Sequence, residues 1–209
     1  MTLPAEATDP VTTVFPDGFL GVLMLDKRLS RPDDDIGHPS TFGVPTRRYV
    51  VTGAWPEKIV QPGVGLRKGR VVAPVLQFVR RFEQDDAKAV TTSCGFLVLL
   101  QKEMQAQVKI PVITSSLLQL PALMTLHQKV GVLTISYSKL GVECLRAAGV
   151  PRARMADVMV QGVDAKSEFA SAILGNRVVM DPKQAAADVL AAAVALKLRE
   201  PKLGCVVLE

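Results

Sequence analysis

Residues 88–107 read KAVTTSCGFLVLLQKEMQAQ. A β-rich run over 88–92 ends in two threonines. Ser93, Cys94 and Gly95 follow, and the pattern then turns apolar and amphipathic in the manner of a helix to Gln107. This strand, polar turn, helix unit recurs along the chain. Residues 110–113 (IPVI) read as a strand, followed by a helix over 116–129 that Pro121 should kink or break. A strand at 130–135 (VGVLTI) leads into a helix over 138–148, with Ser138 as N-cap and Gly149 just past its end. A strand at 155–160 and a short helix at 165–174 come next. The clearest helix covers 181–199: Asp181 can cap it, Pro182 takes the first helical position, and Pro201 stops it. Residues 203–208 (LGCVVL) read as a last buried strand. Upstream, 19–25 (FLGVLML) and 47–52 (RRYVVT) read as strands. A helix over 69–86 carries Val72, Val75, Leu76, Val79 and Phe82 on one face.

Short apolar strands alternating with helices predict an α/β fold, with parallel sheet covered by helices. At 209 residues the chain amounts to about 1.4 domains, enough to bury a core without disulfide or metal. Hydrophobic residues at 48% and charged residues at 22% exclude a disordered chain, a collagen and a coiled coil. Aromatics at 5% argue against a stacking platform for single-stranded nucleic acid. The net charge of +5 is dispersed, with no basic run longer than two residues, which reads as a solvated surface and predicts no nucleic-acid partner. Three cysteines without a CxxC suit a reducing compartment, and two histidines make a zinc site improbable. No apolar run reaches the roughly 18 residues of a membrane span. The first fifteen residues lack the basic start of a signal peptide. A cytoplasmic protein with no membrane partner is therefore expected. Residues 1–17, polar and proline-rich, are expected to drape over the surface. Residues 26–45 show no period and read as either a cleft lid or a surface insert.

In parallel sheets ligands bind at the carboxyl ends of strands. That rule selects Asp26 onward, 91–95, 114–116 and 134–138. None carries GxGxxG or GxxxxGK[ST], and the glycines of GVGLRKG at 63–69 have the wrong spacing. Cys94 lies between a strand end and a helix start, where terminal N–H groups favour a thiolate and should lower its pKa. Thr92, Ser93 and free backbone amides could hold a carboxylate there, and Gly95 leaves room for close approach. The alternative is that Cys94 is a small buried hydrophobe. Cys144 and Cys205 are expected in the core. A thiol beside hydroxyls with no required histidine suits proton abstraction next to a carboxylate.

AVTTSCGFLVLLQKE, IPVITSSLLQLP, KVGVLTISYSKL and LGCVVLE together resemble the aspartate/glutamate racemase superfamily, over roughly 19–27 and 70–209. The resemblance implies two pseudo-symmetric α/β lobes with an active-site cleft between them, here 1–118 and 119–209. It implies proton transfer at the substrate α-carbon by paired thiols, with no pyridoxal phosphate or metal. Cys94 matches the first family cysteine, but the usual Asn and Thr after it are replaced by Gly95 and Phe96, which leaves the substrate open. Ser136, Tyr137 and Ser138 match a substrate-binding loop, and Asp26 matches a substrate-contacting acid; equally, Ser138 could only cap a helix and Asp26 only solvate a strand end. Arg28 is a further candidate, by charge, for a side-chain carboxylate. The second family cysteine is expected one position past Glu209, so either the protein continues past Glu209 or the second lobe is truncated there. The implied function is a cofactor-independent racemase or isomerase of an amino acid or small carboxylate. The alternatives are a decarboxylase or cis–trans isomerase on the same scaffold, or a non-catalytic carboxylate binder. A homodimer is left open.

Overall fold

Two parallel sheets organise the chain, and each is built around a strand buried on both faces. The computed structural model describes residues 17–31, 35–61, 66 and 71–209. The expectations for 1–16 and for the glycine-rich stretch at 63–69, apart from Leu66, lie outside the described residues.

The first sheet holds β1 (Phe19–Leu25), β2 (Thr46–Val51), β3 (Ala87–Thr92) and β4 (Val112–Ile113) in the order β2-β1-β3-β4. The second holds β5 (Val130–Thr134), β6 (Val158–Gly162) and β7 (Cys205–Leu208) in the order β6-β5-β7. Every pairing is parallel. The central strands β1 and β5 are the most apolar, as double-sided burial demands. Helices α1 (Pro56–Ile59), α2 (Val72–Gln84), α3 (Gln101–Gln105), α4 (Leu120–Leu126), α5 (Val142–Ala147), α6 (Glu168–Leu174) and α7 (Pro182–Arg199) connect the strands. α2 turns Val75, Phe78, Val79 and Phe82 inward, as its spacing predicts. Asp181 caps α7 through the amides of Lys183 and Gln184.

One apolar core runs through both sheets and includes Phe96, Leu117, Leu120, Leu140 and Cys144. The expected core position of Cys144 is what the structure shows. Among the described residues no helix is long and apolar enough to cross a membrane.

Several boundaries differ from expectation. The helix over 95–107 is a 3-10 turn, Gly95–Leu100, followed by the short α3. Cys94 O accepts from Leu97 N at 3.0 Å and also from the Thr92 hydroxyl, and this tight i→i+3 start sets the turn. Pro121 is tolerated because it falls in the first turn of α4, after the 3-10 turn Ser116–Gln119. Ser138 caps nothing. Ser136 O accepts from Lys139 N and Leu140 N in a turn, and α5 starts only after Gly141. The strand expected at 155–160 begins at Val158, because Arg152–Asp157 forms a 3-10 turn tied down by Arg154 to Asp157 and to the carbonyls of Met124 and Gln128. Among the described residues β7 is an edge strand bonded only to β5; Val207 lies in the core, Cys205 is half-buried against it, and Val206 and Leu208 are exposed, so the strand is buried on one face only.

Candidate active site

In an open parallel sheet the crevice for a ligand lies where successive connections leave a strand in opposite directions. In the first sheet that point is between β1 and β3, and in the second between β5 and β7. Lys27 follows β1 by two residues and Cys94 follows β3 by two; Thr134 ends β5 and Glu209 follows β7.

Around Cys94 the polar residues of the loop hold the backbone. The Thr92 hydroxyl donates to Thr114 O at 2.8 Å and to Cys94 O at 3.0 Å. Ser93 N donates to Leu23 O, and Ser93 Oγ accepts from Leu25 N at 3.0 Å, stitching β1 to β3 just past their register. Thr92 and Ser93, expected to hold substrate, thus fix the loop that carries the thiol. Cys94 is extended, with φ −150° and ψ 112°, and its sulfur faces the amides of Phe96 and Leu97.

The expected thiolate does not form at neutral pH. Burial pushes the Cys94 thiol up to about 12, and the Glu209 carboxylate adds to the rise. The amides of Phe96 and Leu97 and the Lys27 ammonium pull the other way and are outweighed. A six-residue 3-10 turn offers too little helix dipole to reverse that balance.

Glu209 crosses from the second sheet to meet this loop. Its backbone N–H donates to Leu133 O at 2.9 Å, continuing the β5–β7 ladder. Thr134, 1% exposed, donates its hydroxyl to Glu209 Oε2 at 2.8 Å. Oε1 lies against the bare Cα of Gly95, where an added Cβ would come within 2.1 Å of it. Glycine is required at 95 by this approach, not by backbone conformation. Burial pushes the Glu209 carboxyl up to about 7, against the Thr134 hydrogen bond. Ser116 Oγ donates to Leu208 O at 2.6 Å, a second link between the sheets.

Lys27 is 12% exposed in its side chain. Burial and the neighbouring Arg31 lower its pKa, while Asp35 and, when ionised, Cys94 raise it. Lys27 and Glu209 went unnoticed as site residues in the sequence. The signal was positional: Lys27 stands at the same offset from β1 as Cys94 does from β3.

The remaining predicted residues make local contacts. The Asp26 carboxylate accepts from Gly53 N at 2.7 Å and Trp55 Nε1 at 3.3 Å, so it braces the turn after β2. Arg28 is exposed; its backbone N–H donates to Asn176 Oδ1 at 2.8 Å. Tyr137 is 66% exposed, and its backbone packs on Gly162. Ser136 and Ser138 face each other, Oγ to Oγ at 3.4 Å. Among the described residues of the segment at 26–45, Asp35 accepts from Arg31 and from Gly37 N, and Gly37 O accepts from Arg48 of β2.

No protein-family model matches the chain, and no curated protein matches it in sequence. Among solved structures, a glycine-to-cysteine variant of arylmalonate decarboxylase in its sulfate-associated form matches 91% of this chain and 77% of its own, with TM-score 0.54 and 14% identity. Glutamate racemase from Francisella tularensis subsp. tularensis SCHU S4 in complex with D-glutamate matches 91% and 84%, with TM-score 0.42 and 13% identity. The strand order, the paired crevices and the match agree: the chain has the two-sheet α/β fold of arylmalonate decarboxylase.

Proposed function

We propose that the protein moves a proton at the carbon next to a carboxylate, in the manner of a racemase or isomerase of a small carboxylate or amino acid, with Cys94 and Glu209 as the exchanging groups. The observation that carries this reading is the meeting of a thiol from the first sheet and a carboxyl from the second across the bare Cα of Gly95. Glu209 titrates near 7 and Cys94 near 12, so at neutral pH Glu209 ionises first. A carboxylate with a pKa near working pH is a competent base. It takes the α-proton and leaves the electron pair delocalised into the substrate carboxylate. The Cys94 S–H then gives its proton to that carbon and becomes a thiolate. Proton return from Glu209 to Cys94 restores the pair.

A second reading, decarboxylation of a malonate-like acid, is favoured by the neutral thiol. Loss of carbon dioxide leaves the electron pair on the α-carbon, and the Cys94 S–H protonates it. This needs a donor at rest, which a thiol near 12 is. The decarboxylase named for the solved structure with TM-score 0.54 fits this second reading.

The test is deuterium incorporation at the α-carbon of aspartate, glutamate and substituted malonates in heavy water, with carbon dioxide release followed in parallel. Exchange without carbon dioxide supports the first reading, and carbon dioxide release supports the second. Neither, across the panel, sinks both.

A further inference from the structure

Lys27 sits at the carboxyl end of the central strand of its sheet, at the point where connections diverge between β1 and β3. Its side chain is 12% exposed, yet Asp35 Oδ2 at 4.0 Å is too far to accept a hydrogen bond. Among the described residues no acceptor lies within hydrogen-bonding distance of Lys27 Nζ. Asp35 is engaged elsewhere, its Oδ1 accepting from Arg31 Nη1 at 2.5 Å and Gly37 N at 2.7 Å. Among the described residues the cluster therefore holds two cations, Lys27 and Arg31, against one carboxylate. A largely buried ammonium with three unused donors is costly unless an anion completes it. Cys94 is a near neighbour: the Lys27 ammonium acts on its thiol electrostatically.

We propose that Lys27 is the receptor for the substrate carboxylate, held in place by the Arg31–Asp35 pair, and that it selects carboxylates over neutral amides or esters. This rests on the proton-transfer reading for the identity of the substrate, but not for the existence of the anion site. The carboxylate that Lys27 takes is the group into which the α-carbon's electron pair spreads, so the ammonium also stabilises that charge as it develops. Asp35 acts through Lys27 and Arg31 as a positioning residue. Burial alone would raise its pKa, but Arg31, the Gly37 amide and Lys27 together hold it low.

Binding of malonate, aspartate and malonamide is measured by calorimetry at neutral pH on the wild type, K27M, K27Q and K27R, with thermal unfolding as a folding check. The expected result is that the wild type binds malonate at least about 30-fold more tightly than malonamide, consistent with a charge-assisted contact. K27M and K27Q should lose at least about tenfold for malonate and nothing for malonamide, with partial recovery in K27R. Equal malonate affinity in wild type and in whichever neutral variant folds would overturn the assignment, as would a wild type that binds no carboxylate. Exchange at the α-carbon separates the two claims. Wild-type exchange with a KM unmoved by K27Q sinks the Lys27 receptor and spares the proton-transfer reading. Lys27-dependent binding without any exchange does the reverse.

Discussion

The two crevices use one topological device for opposite chemistry. In the first sheet the loop after β3 is pinned on several sides: Thr92 to Thr114, Ser93 to both Leu23 and Leu25, Cys94 to Leu97. It presents a neutral thiol beside a cation. In the second sheet Glu209 stands at the end of an edge strand, held by one side-chain hydrogen bond from Thr134 and one backbone bond to Leu133. Burial raises both groups, but from different starting points, so the carboxyl titrates near neutrality while the thiol stays protonated. The rigid side carries the group with no charge to lose; the lightly held side carries the group that ionises.

Removing the thiol tests the comparison most severely. C94A should lower α-carbon exchange by at least about 10²-fold, the scale of a positioned acid or base, and the exchange rate checks it. Next comes the contact itself. In G95A the new Cβ must displace Glu209 Oε1, which is the end of a flexible side chain. Exchange should fall by about 10- to 100-fold, as for a misplaced reacting group, while stability changes by about 1 kcal/mol or less. Equal losses in both would show that the contact serves packing alone.

E209Q isolates the carboxyl. Between 4.5 and about 7 the folded chain keeps a proton on Glu209 that the unfolded chain has released. Stability from this group is therefore full below the unfolded value and is lost as pH rises through the folded one, by about 3 kcal/mol in all. Chemical denaturation of the wild type against E209Q should show that loss only in the wild type. The smallest effect is T134V, which removes the donor to Oε2. It should cost about 1 kcal/mol above neutral pH, less below it, and shift the wild-type transition to higher pH.

The layered fold was legible because β1 and β5 are continuous apolar runs between turn residues, and because Asp181 and Pro182 mark the start of α7 without ambiguity. Helix starts near the site were less legible. Thr92 and Ser115 divert local hydrogen bonds into 3-10 turns, and the Ser136 carbonyl closes a turn where a helix was expected, a contest that side-chain periodicity does not register. Cys94 was legible from its place between strand and helix, but its protonation was not, since that depends first on burial and then on a carboxyl 115 residues away arriving from the other sheet. The hydroxyls at Thr92 and Ser93 looked like ligands for substrate because their backbone partners, Thr114 and Leu25, are distant in sequence. In the sequence Glu209 is only the residue after a strand, and Lys27 only one position of an irregular stretch. Each acquires meaning from burial, which one-dimensional pattern does not report.

The order of titration is the most direct point of attack. Thiolate absorbance in the ultraviolet, taken as wild type minus C94S from about pH 5 to about pH 10, follows Cys94 against the ordinary thiol value of about 8.5. The geometry predicts no thiolate from Cys94 across that range, with the Glu209 transition near 7 appearing in stability and not in absorbance. A Cys94 thiolate with a midpoint at or below about 8.5 would contradict it.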